Sequence, residues 1–372
     1  MIKIKILILI SGNDSGGAAT YILNLCGLNN KEYEITLGCI GKGYLYEEAK
    51  KLPLKVELFT TKSFINKEIV KYSLDYSIDI INFNGAKLFF SYLFVRKNLK
   101  ACCVATVHSD YRYDFINNKL KLMFFTPLSI LGLKKFKQYI CVSRDMKSLL
   151  EEQGVKGKKY IANNGIDIKN ISINDKYKNI KEFYGIKEMD FVFVCIARFH
   201  PIKNHIKLIE AFGLLKKEYT DIKLICVGDG DLRESIEKKI QELSLQEFIV
   251  LPGFQNNTLE FLAASNISIL TSLNEAGDPP LVILESAAAK KPVICSNIGR
   301  LNEIISNEYG YLVNPEDVAD IYLKMKEAYI SRKLLPEKGS GFYEFIENRF
   351  SIEGFYDKYR EIFSDLVRNR RK

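Results

Sequence analysis

The feature that most limits how this chain can fold is a rhythm. Short apolar, β-branched runs recur at 2–10, 33–40, 54–59, 78–83, 101–107 and 138–142. Longer stretches with helical spacing, such as Phe64 to Tyr76 and Asp114 to Leu131, lie between them. Apolar strands separated by helix-length connections predict a parallel sheet covered on both faces, because each crossover lays a helix against the sheet. The rhythm pauses at Asn163-Asn164-Gly165-Ile166-Asp167 and the polar stretch Lys169 to Lys181. It restarts with strands at 190–197, 222–227, 247–250, 266–270 and 292–295, and helices from Asn204, Leu232, Pro280 and Pro315. The expectation is an α/β protein of two doubly wound, Rossmann-like domains, 1–170 and 171–345, which 372 residues comfortably supply. The amphipathic helix Ile352 to Leu366 lies in a last segment, 346–372, expected to pack back on the N-terminal domain.

Composition narrows the class. With 47% hydrophobic and 27% charged residues the chain can bury real cores and still face water. MIKIKILILI alternates Lys with Ile and ends at Ser11-Gly12 without a small-residue cleavage site, so it reads as a buried first strand. No run approaches the ~20 apolar residues of a membrane span, and a cytoplasmic protein is expected. None of the eight cysteines forms a C-x-x-C pair, and most sit in apolar runs, as core thiols in a reducing compartment do. The net charge of +9 suits an anionic partner. No nucleic-acid motif accompanies it, and the charge by itself selects no one partner among nucleic acid, membrane surface and phosphorylated substrate.

In a parallel sheet ligands gather at the carboxyl ends of strands. The strand at 190–197 is followed by Arg198 and, five positions on, Lys203. Two cations there can stabilise the charge that builds on a departing diphosphate; they can equally be part of a solvated basic loop. After the strand at 266–270 come Glu275 and then Pro280, which fits a first helical position and leaves the amides of Leu281 and Val282 free for an anion. Glu285 lies further along that helix. Gly228-Asp229-Gly230-Asp231 looks like a glycine-rich phosphate loop and reads equally as a tight strand-to-helix turn. In the first half, Gly16 and Gly17 allow close approach of backbone to a ligand, and His108 stands at a strand tip. Helix 115–140 interleaves Lys119, Lys121, Lys134, Lys135 and Lys137 with Phe115, Met123, Phe124, Phe125 and Leu128, a pattern open to a lipid surface or to a core-facing helix with solvated lysines.

Residues 191–303 resemble family-4 glycosyltransferases of the GT-B fold, on Ala197-Arg198…Lys203-Asn204-His205, Val227-Gly-Asp-Gly-Asp-Leu232, Leu251-Pro-Gly-Phe254, Thr271-Ser-Leu-Asn-Glu275, Leu284-Glu-Ser-Ala-Ala288 and Lys290-Lys-Pro-Val-Ile294. The resemblance continues to the Gly16-Gly17 loop, His108, Val142-Ser143-Arg144 and Asn164-Gly165-Ile166-Asp167. It implies two domains facing a central cleft and a retaining, metal-free transfer. The donor is a nucleotide-diphosphate sugar, UDP- rather than GDP-, which enters as substrate, and no cofactor is implied. Arg198 and Lys203 would meet the diphosphate, Glu275 and His108 the donor sugar, Glu285 the ribose, and Gly16 and Gly17 the donor phosphates and acceptor. The acceptor would be a glycan or lipid-linked precursor in capsule, lipopolysaccharide or related polysaccharide assembly, with 115–140 as a peripheral membrane contact. Glu275 and Glu285 lie ten positions apart, two more than is usual in the family. Either the loop is longer and Glu275 still reaches, or Asp278 or a backbone amide replaces it. A nucleotide-sugar epimerase of the same fold and a non-catalytic partner subunit are the alternatives.

Overall fold

A computed structural model describes residues 3–111, 119–171 and 177–370. The chain divides into two units: Met1–Gly165 with Ala276–Asp278 and Ile352–Lys372, and Ile166–Glu275 with Pro279–Ser351.

The first unit is built on seven strands: β1 Ile4–Ser11, β2 Tyr33–Ile40, β3 Lys55–Phe59, β4 Ile80–Asn84, β5 Cys102–Val107, β6 Gln138–Cys141 and β7 Lys158–Ile161. All pair in parallel, in the order β3-β2-β1-β4-β5-β6-β7. Ile6, Leu7, Ile8 and Leu9 are completely buried, so both faces of β1 are covered, as the unbroken apolar run required. The order turns in opposite directions from β1 and β4. Their carboxyl ends therefore flank the switch point at which such sheets bind ligands.

The second unit repeats the plan with β8 Phe191–Ile196, β9 Ile222–Val227, β10 Ile249–Gly253, β11 Ile267–Leu270, β12 Val293–Ser296 and β13 Gly310–Val313. The order is β10-β9-β8-β11-β12-β13, again parallel, with the switch point between β8 and β11.

The C-terminal helix, Ile352–Arg370, belongs to the first unit. Its residues Ile352, Phe355, Tyr359, Ile362, Phe363 and Leu366 recur every three or four positions, form one stripe, and are buried in that unit's core. Tyr359 hydrogen-bonds through its hydroxyl to Tyr21 at 2.8 Å, and Lys158 on β7 pairs with Asp365 at 2.6 Å.

Several local expectations need correcting. The sequence pattern does not predict β7 or β13. Each has four residues at a sheet edge, too few to show a periodicity. Phe64 to Tyr76 is two helices, Lys62–Ile65 and Glu68–Asp75, because Lys67 takes a left-handed conformation with φ 60°. The helix expected from Asp114 is described from Lys119 to Leu133, and 112–118 lie outside the described residues. None of the eight cysteines is in a disulfide, and six of them are buried.

Replacing Tyr359 by Ala removes a fully buried ring, and the expected cost is about 3–5 kcal/mol. Tyr359→Phe removes only the hydroxyl bond, with about 1 kcal/mol expected. Urea denaturation should rank the two in that order; equal stabilities would show that the helix does not hold the unit together.

Candidate functional site

In the second unit Arg198 and Lys203 follow β8, and Glu275 follows β11. The loop after β8 runs through a single 3-10 turn, Pro201–Lys203, capped by His200, whose Nδ1 accepts from the Ile202 amide at 3.3 Å. Asn204 follows in the left-handed region, φ 58° and ψ 34°, and anchors itself by donating from Nδ2 to the Pro315 carbonyl. This bend ends the loop and starts the helix His205–Lys216. The loop after β11 is sewn to it: the Leu273 amide donates to the Ile202 carbonyl at 2.7 Å, and Thr271 Oγ1 to the Lys203 carbonyl at 3.4 Å. The two loops thus bring Lys203 and Glu275 together, and Lys203 Nζ donates to Glu275 Oε1 in a part-buried ion pair.

Arg198 differs from Lys203. It is exposed, and among the described residues its guanidinium has no partner. Its backbone is braced by the turn after β9. The Phe199 amide donates to the Asp229 carbonyl at 2.9 Å and the Leu232 amide to the Phe199 carbonyl at 3.1 Å. A Cβ on Gly228 would stand 2.1 Å from the Ala197 carbonyl oxygen, and one on Gly230 2.6 Å from that of Phe199, with both φ angles positive at 145° and 153°. Asp229 accepts from the Gly230 amide at 2.8 Å and lies 3.8 Å from Arg233. The Gly-Asp-Gly-Asp stretch is therefore a brace for the loop that carries Arg198.

The helix after β11 is Leu281–Ala288. Pro280 is its N-cap rather than its first helical residue: ψ is 145°, and its carbonyl accepts from the Ile283 amide at 3.0 Å and the Leu284 amide at 3.4 Å. That leaves the amides of Leu281 and Val282, the two expected at an anion, without an acceptor among the described residues. Glu285 is half-buried on this helix. Burial pushes its carboxyl up to about 7, against which a hydrogen bond from Thr258 works. At neutral pH it can both donate and accept.

His205 is fully buried, edge-on to Phe199 at 4.9 Å, with Nε2 3.8 Å from the Cys195 sulfur; burial lowers its pKa to about 4. It packs the back of the loop as a neutral ring.

In the first unit, Gly16 caps the helix Gly17–Cys26 that follows β1, and its amide is held by Asp14 Oδ1 at 2.9 Å. His108 follows β5. Its Nε2 meets Asn84 Oδ1 at 2.9 Å, and Tyr21 packs edge-on against the ring at 5.0 Å. Burial lowers its pKa to about 4. Ser143 caps the helix Arg144–Glu152 by accepting from the Met146 amide at 3.1 Å, a structural role. Sequence reasoning does not reach Asn204, Asn84, Tyr21 or the Gly228 turn as parts of the site. Only the polar Asn84-Gly85 at a strand end carries a local signal.

Two doubly wound parallel units in one chain define the GT-B fold. Two family models divide the chain between them: Glycosyltransferase Family 4 matches residues 15–170 and Glycosyl transferases group 1 matches residues 176–338. The chain belongs to the group 1 glycosyltransferases. It is 28% identical, over 72% of its length and 70% of the relative's, to the UDP-Gal:alpha-D-GlcNAc-diphosphoundecaprenol alpha-1,3-galactosyltransferase of Escherichia coli. It is 26% identical, over 74% of its length and 63% of the relative's, to the alpha-monoglucosyldiacylglycerol synthase of Streptococcus pneumoniae. In fold it matches Anabaena Alr3699/HepE, solved in complex with UDP-glucose, with a TM-score of 0.84 over 97% of this chain and 99% of that one, at 18% identity.

The Glu285 carboxyl generates a pH dependence. Its pKa rises from 4.5 in the free chain to about 7 in the fold, so between these values the folded protein keeps a proton that the unfolded chain releases. Stability from this group is complete below the lower value and is lost as pH rises through the upper one. Allowing for screening at a half-buried site, Glu285→Gln is expected to raise Tm at pH 8 by about 2–4 °C and to change little near pH 4.5. If the carboxyl also holds a ribose, the same variant should bind UDP about tenfold more weakly in calorimetry. A variant neither stabler at pH 8 nor weaker for UDP would remove Glu285 from the site.

Proposed function

We propose that the protein transfers a hexose or N-acetylhexosamine from a UDP-sugar to a glycan acceptor carried on a lipid, with retention of configuration, in capsule, lipopolysaccharide or related polysaccharide assembly. The observation that carries this reading is the set of groups at the carboxyl ends of β8 and β11. Among the described residues Arg198 is an exposed cation without a partner, Lys203 is held ready by Glu275, and the amides of Leu281 and Val282 begin a helix with no acceptor. An anion of two phosphates satisfies cations and free amides together, and these groups gain most as negative charge develops on the leaving diphosphate. Glu275 places a carboxylate beside the Lys203 cation, where it can accept from sugar hydroxyls. Attack by the acceptor hydroxyl on the face that the diphosphate leaves gives retention, and the leaving phosphate oxygen takes the proton. His108 contacts the donor sugar and Glu285 the ribose. Gly16 and Gly17 let the backbone approach the phosphates and acceptor. No step requires a metal or a cofactor from the protein. The E. coli relative's name carries a UDP-sugar donor and an undecaprenol-linked acceptor, and the pneumococcal one a diacylglycerol.

The lipid part of the reading has a surface to support it. The helices Ala86–Val95 and Lys119–Leu133 pack closely, with Gly132 against the Phe89 backbone. Neither 86–100 nor 119–137 contains an Asp or Glu. Phe94, Met123, Phe124 and Leu131 are exposed there beside Lys97, Lys134 and Lys135. Apolar side chains among cations, without acids, suit an anionic bilayer surface. Phe115, part of the expected contact, lies outside the described residues. Among those described, no helix is long and apolar enough to cross a membrane.

Arg198→Ala and Lys203→Ala are each expected to lower kcat at least ~100-fold with the UDP-sugar that a thermal-shift screen selects. Normal turnover by Arg198→Ala would overturn the mechanism, and a sugar altered without any acceptor would mark an epimerase instead. In flotation assays the protein should bind phosphatidylglycerol vesicles but not phosphatidylcholine vesicles, and a Met123→Ser/Phe124→Ser variant should lose most of that binding. Equal behaviour towards both lipids would sink the membrane contact.

A further inference from the structure

Asn84 ends β4, one of the two strands at the first unit's switch point, and is 3% exposed. Its Nδ2 donates to the main-chain oxygens of Leu9 at 3.1 Å and Asn82 at 3.3 Å. Both acceptors belong to the sheet backbone. Turning the carboxamide over would set its oxygen against two carbonyl oxygens, so the amide orientation is fixed. Oδ1 then faces His108 Nε2 at 2.9 Å. A carboxamide oxygen only accepts, so Nε2 must carry the proton. In a neutral ring the other nitrogen, Nδ1, is then a bare lone pair. Among the described residues nothing bonds to it.

The ring is also fixed in space. Tyr21 stands edge-on to it at 82° between planes. The Tyr21 hydroxyl has one proton, which goes to the Ala162 carbonyl at 2.9 Å. In the 2.8 Å pair with Tyr359 the donor is therefore Tyr359, and the C-terminal helix buttresses the wall behind His108.

We propose that Asn84 is a positioning residue that locks His108 as the Nε2–H tautomer, so that the imidazole offers a ligand an acceptor at Nδ1 and never a donor. Such a nitrogen can receive a hydroxyl and has nothing to give a phosphate or carbonyl oxygen. Only the naming of that hydroxyl as a donor-sugar hydroxyl rests on the glycosyl-transfer reading; the tautomer does not. Burial keeps the ring neutral. The groups against it are neutral Asn84 from β4 and Tyr21 from the first helix, backed by Tyr359, and Asp110 follows in its own loop.

The test is a long-range proton–nitrogen NMR spectrum of the full chain labelled with 15N-histidine, the three histidines being assigned by His108→Gln, His200→Gln and His205→Gln. At pH 7 His108 should show a protonated Nε2 and a bare Nδ1, unchanged from pH 5.5 to 8. A proton on Nδ1, a mixture of tautomers or an imidazolium would overturn the proposal. Asn84→Asp keeps an oxygen opposite Nε2 but adds negative charge, which favours the imidazolium. It should raise the His108 pKa by at least one unit. It should also add an acid limb to the rate with the UDP-sugar, where the wild type is flat. A merely structural Asn84 would lower activity equally at every pH. The wild-type spectrum decides the matter even if that variant does not fold. A locked Nε2–H ring in a protein that turns over no UDP-sugar would sink the transfer reading and leave the tautomer standing.

Discussion

In the second unit the loops that follow β8 and β11 meet at one ion pair. Lys203 lies in the loop after β8 and Glu275 in the loop after β11, and their side chains meet because one backbone hydrogen bond and one from the Thr271 hydroxyl tie the two loops together. A part-buried pair of this kind is poor evidence of stability, since desolvating the two ions offsets much of their attraction. Its value lies in placement. Each charge holds the other in one geometry before a ligand arrives, so less ordering remains to be done on binding. Arg198, on the same loop, is the complementary case: an exposed cation without a partner among the described residues.

That loop is stiff for reasons spread through the unit. Asn204 takes an unusual backbone conformation, which the bond to the Pro315 carbonyl sustains. The turn after β9 leans against residues 197–199 so closely that its two glycines cannot carry side chains. His205 fills the space behind as a neutral, buried ring. The helix that begins at Leu281 adds two free amides and, one turn on, a carboxyl raised by burial to about 7.

The first unit uses neutral polar groups instead. Asn84, His108, Tyr21 and Tyr359 form a chain of contacts that runs from β4 to the C-terminal helix. Buried polar groups of this sort are costly unless paired, and here pairing also decides which histidine nitrogen is bare. The second unit's strand ends carry charged groups, and the first unit's carry neutral, directional ones.

Much of this was legible in the sequence because it is local. Fully buried parallel strands must be apolar on both faces, so β1, β8 and β9 announce themselves, and with them the places where ligand-binding loops begin. Arg198, Lys203, Glu275 and Leu281 could be pointed to because each follows such a strand. The edge strands β7 and β13 were not legible, since four residues carry too little pattern. The partnerships were not legible either. That Glu275 pairs with Lys203, that Gly228 props the Arg198 loop, and that Asn84 sets the His108 tautomer depend on contacts between residues far apart in the chain. Sequence determined which strands form and which charges follow them, through hydrophobic periodicity and turn chemistry. Only the tertiary structure decided which charges are paired, which are free and which nitrogen carries a proton, because those follow from distance and burial.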